Sequence, residues 1–194
     1  MLRVYRIPFS TNVERVALAL GHKGVACEWV DVDPDDRSPV VEVSGQELVP
    51  VVVADGLVLS DSPAILRWIE EQWPEPPLLP AGPARAEILV FCDWFNRVWK
   101  RPPNRIAEGE DDPALVAELR GSMELFEALL DGREHLFGDF SLADVTAFPF
   151  LRYAAGLPAG DDELFHRVLA ENLPLDGRPR LAAWIERVDA RPRS

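Results

Sequence analysis

The chain has 194 residues, 47% of them hydrophobic, and a formal net charge of −13; it can bury a core, and neither half carries the basic excess that nucleic acid or an anionic membrane surface would require. No apolar run approaches the ~20 residues of a membrane span, and the first residues lack a secretory apolar segment, so a cytoplasmic protein is expected. Cys27 and Cys92 stand far apart with no C-x-x-C between them, which argues against a disulfide framework or a structural zinc site.

Leu2 to Ile7 reads as a strand. Val13, Val16, Ala17 and Leu20 then recur at helical spacing. Thr11 and Glu14 stand three apart, as in a capping box, and Gly21 and Gly24 offer a stop. Cys27 to Val32 is β-rich and reads as a second strand, with Cys27 and Cys92 expected to be buried small hydrophobes. Asp33 to Gly45 is rich in Pro and Asp and is expected to be mostly loop, with room for one helical turn. Val51–Val53 and Leu57–Leu59 flank Asp55-Gly56, a hairpin signal. Ser62-Pro63 opens a helix, with Ser62 as N-cap, which ends at Trp73-Pro74. The order β-α-β, loop, β-β-α predicts a thioredoxin-like domain over residues 1–75.

Residues 76–83 form a Pro-rich linker, and residues 84–194 carry helix signals alone. Ile88, Phe91, Cys92, Phe95 and Trp99 mark one helix, which Pro102-Pro103 should stop. Asp112-Pro113 opens another. Ser141 and Asp144 form a capping box, with Phe140 and Val145 as a hydrophobic staple, on a helix in which Pro149 predicts a kink. Further helices follow near Glu163 to Leu169 and Leu181 to Val188.

Three segments carry candidate chemistry. Ser10 stands at the positive end of the first helix, where a hydroxyl beside free N–H groups can stabilise a thiolate; equally, Ser10 and Thr11 can simply cap the helix. A cis bond at Val49-Pro50 would aim the Val49 backbone groups at an extended peptide ligand. Asp61 and Ser62 stand at a second helix N-terminus, able to meet an ammonium and a carboxylate, or again only to cap. His22, His135 and His166 have neither ligand spacing nor a nearby carboxylate pattern, and no metal is expected.

Together, Ser10-Thr11-Asn12 with Arg15-Val16, Val49-Pro50, Asp61-Ser62 with Ala64-Ile65, and Ser141-Leu142-Ala143-Asp144 resemble the glutathione S-transferases of the serine type. Arg far outnumbers Lys, which suggests a high-GC bacterial source. The resemblance implies that Ser10 activates the thiol of glutathione, or of another low-molecular-weight thiol, that Val49 pairs with its cysteinyl unit, and that Asp61 and Ser62 hold its γ-glutamyl end. A hydrophobic electrophile would meet Phe9, Trp94, Trp99, Phe148 and Tyr153, and a homodimer is implied. Leu48 and Glu47 stand where the family often places a cation or Gln for the glycyl carboxylate, with Arg37 and Gln46 the nearest substitutes. A non-catalytic binding or regulatory protein of the same fold is the alternative. A thiol-disulfide oxidoreductase would need a reactive cysteine.

Overall fold

A computed structural model describes residues 1–194, which divide into two compact units. The first comprises residues 1–78 together with 191–194. Its elements are β1 (Leu2–Arg6), α1 (Thr11–Lys23), β2 (Glu28–Asp31), α2 (Ser38–Ser44), β3 (Val51–Ala54), β4 (Leu57–Ser60) and α3 (Ser62–Gln72). The four strands form one sheet in the order β2-β1-β3-β4. β1 runs parallel to β2, as the intervening helix requires, and antiparallel to β3; β3 and β4 form the expected hairpin.

Strand alternation gives the sheet two buried faces. Tyr5 and Val51, opposite each other in register, pack with Val32 and with Val40 of α2. Val4 and Val52, the next pair along, are fully buried on the other face, and the buried stripes of α1 (Val16, Leu20) and α3 (Ile65, Ile69) supply apolar cover for a sheet of this size. α2, 7 residues long, extends the single helical turn for which the mostly-loop reading of this stretch left room: Pro39 sits in its first turn and Gly45, at φ 74°, closes it.

Residues 191–194 are part of this unit, against the expectation that everything after residue 84 is helical domain. The Ser194 N–H donates to the Ala17 carbonyl at 3.2 Å and Trp29 Nε1 donates to the Ser194 carbonyl at 2.9 Å. Arg193 pairs with Glu14 at 2.8 Å. Gly21 is required here, because a Cβ on it would lie 2.2 Å from the Pro192 carbonyl oxygen. Glu14 is thus committed to the tail and not to a capping box. Cys27 precedes β2 and is half-buried, with its sulfur 3.6 Å from Ser194 Oγ.

The second unit, residues 79–190, holds α4 (Pro83–Trp94), a π-helical turn (Phe95–Trp99), α5 (Arg101–Ala107), α6 (Pro113–Leu129), α7 (Leu142–Leu151), a 3₁₀ turn (Arg152–Ala155), α8 (Leu164–Asn172) and α9 (Pro179–Asp189). The helical run marked by Ile88 to Trp99 ends at Trp99, ahead of Pro102-Pro103 as expected. The two prolines fall in the first turn of a new helix, α5, where the missing N–H groups have no intrahelical acceptor to lose. α7, by contrast, continues through Pro149 to Leu151. The capping box at Ser141 and Asp144 is present, and Phe140 and Val145 are both buried.

Candidate functional site

The strand register gathers three segments at one edge of the first unit's sheet. Val51 pairs with Tyr5 on one side and Ser60 on the other. The chain leaving β1, the chain entering β3 and the chain leaving β4 therefore emerge together. These are the segments carrying Ser10, Val49-Pro50 and Asp61-Ser62.

Ser10, just before α1, is its N-cap; Thr11, read as the first residue of a capping box, is instead the first helical residue and is buried. Ser10 Oγ accepts from the Val13 N–H at 3.4 Å, a long bond. The side chain is half-buried, and its hydroxyl proton has no acceptor within the chain. Phe9, just before it, adopts φ 61° and is 43% exposed.

The Val49-Pro50 bond is cis. Ahead of it, Leu48 is 70% exposed, and Gln46 clasps the Leu48 backbone, its Nε2 donating to the carbonyl at 2.8 Å while its Oε1 accepts from the N–H at 2.6 Å. Arg37 reaches the same loop, Nη1 donating to the Glu47 carbonyl at 3.3 Å. Spacing along the chain gave no sign of this; the α2 cap brings Arg37 there.

At α3 the cap is Asp61, one residue earlier than expected, with its carboxylate accepting from the Ala64 N–H at 3.3 Å. Asp61 adopts φ 74° and ψ 109°, a conformation a non-glycine residue holds at a cost of order 1–3 kcal/mol. Ser62 is buried. Its hydroxyl donates to Asn12 Oδ1 at 3.2 Å and accepts from Arg15 Nη1 at 3.3 Å, and Arg15 Nη1 also reaches Asn12 Oδ1 at 3.3 Å. Arg15 is only 1% exposed. This network ties the first turns of α1 and α3 together. Asn12, Arg15 and Ser62 all lie in the segments that carry the family resemblance, but the bonds among them join two helices and leave no local pattern; an Arg followed by Val16, Leu18 and Ala19 on a helix is the available signal of a buried cation.

Three of the five aromatic residues expected at an electrophile site are instead core. Trp99 stacks on Phe95 at 4.3 Å and donates to Ser122 Oγ; Phe148 packs edge-on against Trp184. Tyr153 lies over the His166 ring and donates to Asp161 at 2.8 Å, and burial with that bond pushes its hydroxyl pKa up. All three are buried, because aromatic residues at helical spacing are first the material of a helix–helix core. Trp94 is half-buried, at tilted-ring distance from Phe91. His166 does have a carboxylate partner, Asp161, at 2.8 Å from Nδ1. The expectation failed because that carboxylate comes from a loop five residues earlier. No group of three or more His, Cys, Asp or Glu side chains is arranged to hold a metal ion. Burial raises the Cys27 thiol, outweighing the opposing pulls of Ser194 and Arg6, and Cys92 is buried beside Thr146. Cys27 thus lacks the depressed pKa of a reactive cysteine.

A mixed four-stranded sheet built as β-α-β and β-β-α, with a cis-proline entering its third strand, followed by a separate all-helical unit, defines a thioredoxin-like domain joined to a helical domain. Residues 4–77 match the family model of the glutathione S-transferase N-terminal domain, and residues 93–187 match that of the C-terminal domain. The chain belongs to the glutathione S-transferase family. A maleylpyruvate isomerase of Ralstonia sp is 36% identical over 174 residues, covering 76% of this chain and 80% of the relative. A glutathione S-transferase from Rhodospirillum rubrum F11 superposes with a TM-score of 0.73 at 29% identity, over 99% of this chain and 89% of its own. A Tau class enzyme from mango, Mangifera indica, superposes at 0.81 with 21% identity over 98% of this chain and 89% of its own, a likeness of fold. Six of the curated relatives are matched over 65% to 90% of their own lengths. No helix is long and apolar enough to cross a membrane.

Proposed function

We propose that this chain is a serine-type thiol transferase, using glutathione or a closely related low-molecular-weight thiol against a hydrophobic electrophile. The observation that carries the reading is the Ser10 hydroxyl. It is half-buried at the positive end of α1, its proton is not taken by the chain, and it shares a sheet edge with the N-terminus of α3.

In this reading Ser10 stays protonated and donates to the thiolate sulfur. A hydrogen bond to a charged acceptor is worth ~1.5–3 kcal/mol, which lowers a thiol pKa by about one to two units. The proton leaves to solvent. The sulfur lone pair then forms the S–C bond with the electrophile, while the electrons of the broken bond leave with the departing group. With a conjugated cis double bond, addition, rotation and expulsion of the thiolate would give the trans isomer and return the thiol unchanged; the Ralstonia relative is named as an isomerase. Val49 pairs its backbone with the cysteinyl unit. Asp61, exposed at the α3 cap, takes the ammonium of the γ-glutamyl group, and the first N–H groups of α3 with Ser62 take its carboxylate. A cytoplasmic, bacterial homodimer is the expected setting, with a sedimenting species of twice 21.7 kDa.

Calorimetric titration with glutathione, with the ultraviolet absorbance of bound thiolate followed against pH, tests the reading. The expected result is saturable binding with substantial thiolate at neutral pH, and a Ser10→Ala variant that binds but no longer ionises the thiol. A Ser10→Ala protein with an unchanged thiolate titration overturns the role of Ser10. A second reading, a non-catalytic binding protein, draws on the loop before Pro50, which presents Leu48 and Glu47 to solvent and spends the Gln46 amide on its own backbone. Failure to saturate at millimolar glutathione would favour it.

A further inference from the structure

We propose that Arg15 is the positioning residue of the thiol site, holding the Ser62 hydroxyl as a charge-polarised donor that swings from Asn12 to the carboxylate of an incoming ligand. The inference rests on the glutathione reading above and assigns roles to Arg15 and Asn12.

The argument starts from hydrogen-bond accounting. A serine hydroxyl has one proton to donate. In the free protein that proton goes to Asn12 Oδ1, at 3.2 Å, so as it stands the hydroxyl cannot also donate to a ligand. Asn12 Oδ1, however, has a second donor. Arg15 Nη1 reaches it at 3.3 Å and reaches Ser62 Oγ at the same distance. If the Ser62 proton rotates away, Asn12 Oδ1 keeps the Arg15 bond, and no buried acceptor is left without a partner. That matters because a stranded buried acceptor costs the full desolvation of the group. The swing exchanges a bond to a neutral amide oxygen for one to a carboxylate, the stronger kind.

The guanidinium supports the bound state as well. A donor on the oxygen of a hydroxyl draws electron density from its O–H and strengthens the bond that O–H gives. Arg15 is almost wholly buried, so its side chain is fixed by packing and the polarising contact is preorganised. Asn12 and Arg15 lie on the first turns of α1, just beyond Ser10, and Ser62 is the first residue of α3. Ligand capture at α3 is therefore read by the helix whose mouth carries Ser10.

Two ligands separate this role from simple structural support: glutathione, and its analogue 4-aminobutyryl-cysteinyl-glycine, which lacks only the γ-glutamyl α-carboxylate. Calorimetry on wild-type protein should show glutathione binding at least about tenfold tighter, the worth of one charge-assisted hydrogen bond. In Arg15→Met the preference should fall to about twofold or less, with binding of the analogue changed little. Equal loss for both ligands overturns the proposal and makes Arg15 a structural residue; a preserved preference also overturns it. Should Arg15→Met fail to fold, Asn12→Ala decides, since it removes the competing acceptor and leaves the buried cation in place. Glutathione affinity in Asn12→Ala should be equal to wild type or higher, and a loss of about tenfold overturns the swing. Wild-type protein that binds neither ligand sinks the functional reading and this inference together, whereas binding without the carboxylate preference sinks this inference alone.

Discussion

Two helices of this protein have a serine as N-cap, and the difference between them separates a cap that builds from a cap that can work. At the mouth of α7, Ser141 is 2% exposed and every polar group is spent. Its Oγ accepts from the Ala143 N–H and donates to Asp144, whose carboxylate also takes the N–H groups of Ser141 and Leu136 and the Trp184 indole. At the mouth of α1, Ser10 makes one long bond to Val13 and keeps its proton. Both patterns obey the same capping rule. What distinguishes them is how completely the surrounding fold answers each group.

The largest effect is expected where the answer is most complete. Burial pushes the Asp144 carboxyl up, and its hydrogen bonds pull against that. Asp144→Ala would strand the Leu136 and Ser141 N–H groups and the Trp184 indole in the core. At ~1–3 kcal/mol for each unsatisfied buried donor, partly relieved by relaxation, a loss of about 3–5 kcal/mol is expected in urea unfolding. Thiol chemistry per folded molecule should be untouched. A loss below about 1 kcal/mol would mean that α7 is not held by this box.

Exchanging the two serines for alanine tests the contrast directly. Ser141→Ala should cost about 1–2 kcal/mol of stability and leave the thiolate titration alone. Ser10→Ala should cost about 0.5 kcal/mol, since it removes one weak bond at a half-exposed position, while abolishing thiolate stabilisation. Comparable stability losses in the two variants would erase the distinction.

These two sites also show what was legible along the chain. The box at Ser141 could be read because both partners are local and nothing competes with them. At α1 and α3 the spacing located each helix start but slipped by one residue. In both places two neighbouring residues can cap, and the choice is made by distant packing. Thr11 is drawn into the core, so Ser10 caps; Ser62 is drawn to Asn12 and Arg15, so Asp61 caps. The element order and the split into a mixed first domain and a helical second one followed from alternation and turn chemistry. The Arg193–Glu14 pair, Arg37 on the loop before Pro50 and the His166–Asp161 contact did not, since each is set by how elements pack and not by any local pattern.

Asp61 gives a smaller effect with the opposite sign. Its φ of 74° is one glycine adopts freely. Asp61→Gly should relieve backbone strain and forfeit only the 3.3 Å bond to Ala64, leaving stability unchanged or raised by up to about 1 kcal/mol. Glutathione affinity should fall in the same variant. A stable variant with weaker binding would mark Asp61 as a cap retained for its ligand, like Ser10; an unstable one would place it with Ser141.

The far end of α1 is closed by the tail, and this makes the smallest prediction. His22 Nδ1 meets Arg191 Nη2 at 2.9 Å. Burial first, then the charges of Arg191 and Lys23, hold the His22 pKa below its ordinary value of 6.5, against weaker opposing pulls from the Pro77 carbonyl and from Glu70. The unfolded chain therefore takes up a proton near that ordinary value while the folded chain still refuses it. Stability attached to His22 is complete above the ordinary value and is lost as the pH falls through it toward the lowered one. Thermal unfolding between about pH 7.5 and about pH 5.5 should show a decline that is shallower in His22→Gln. Because the ring is only half-buried, solvent screens the effect, and a small shift in Tm is expected. Parallel declines in the two proteins would place the acid sensitivity elsewhere.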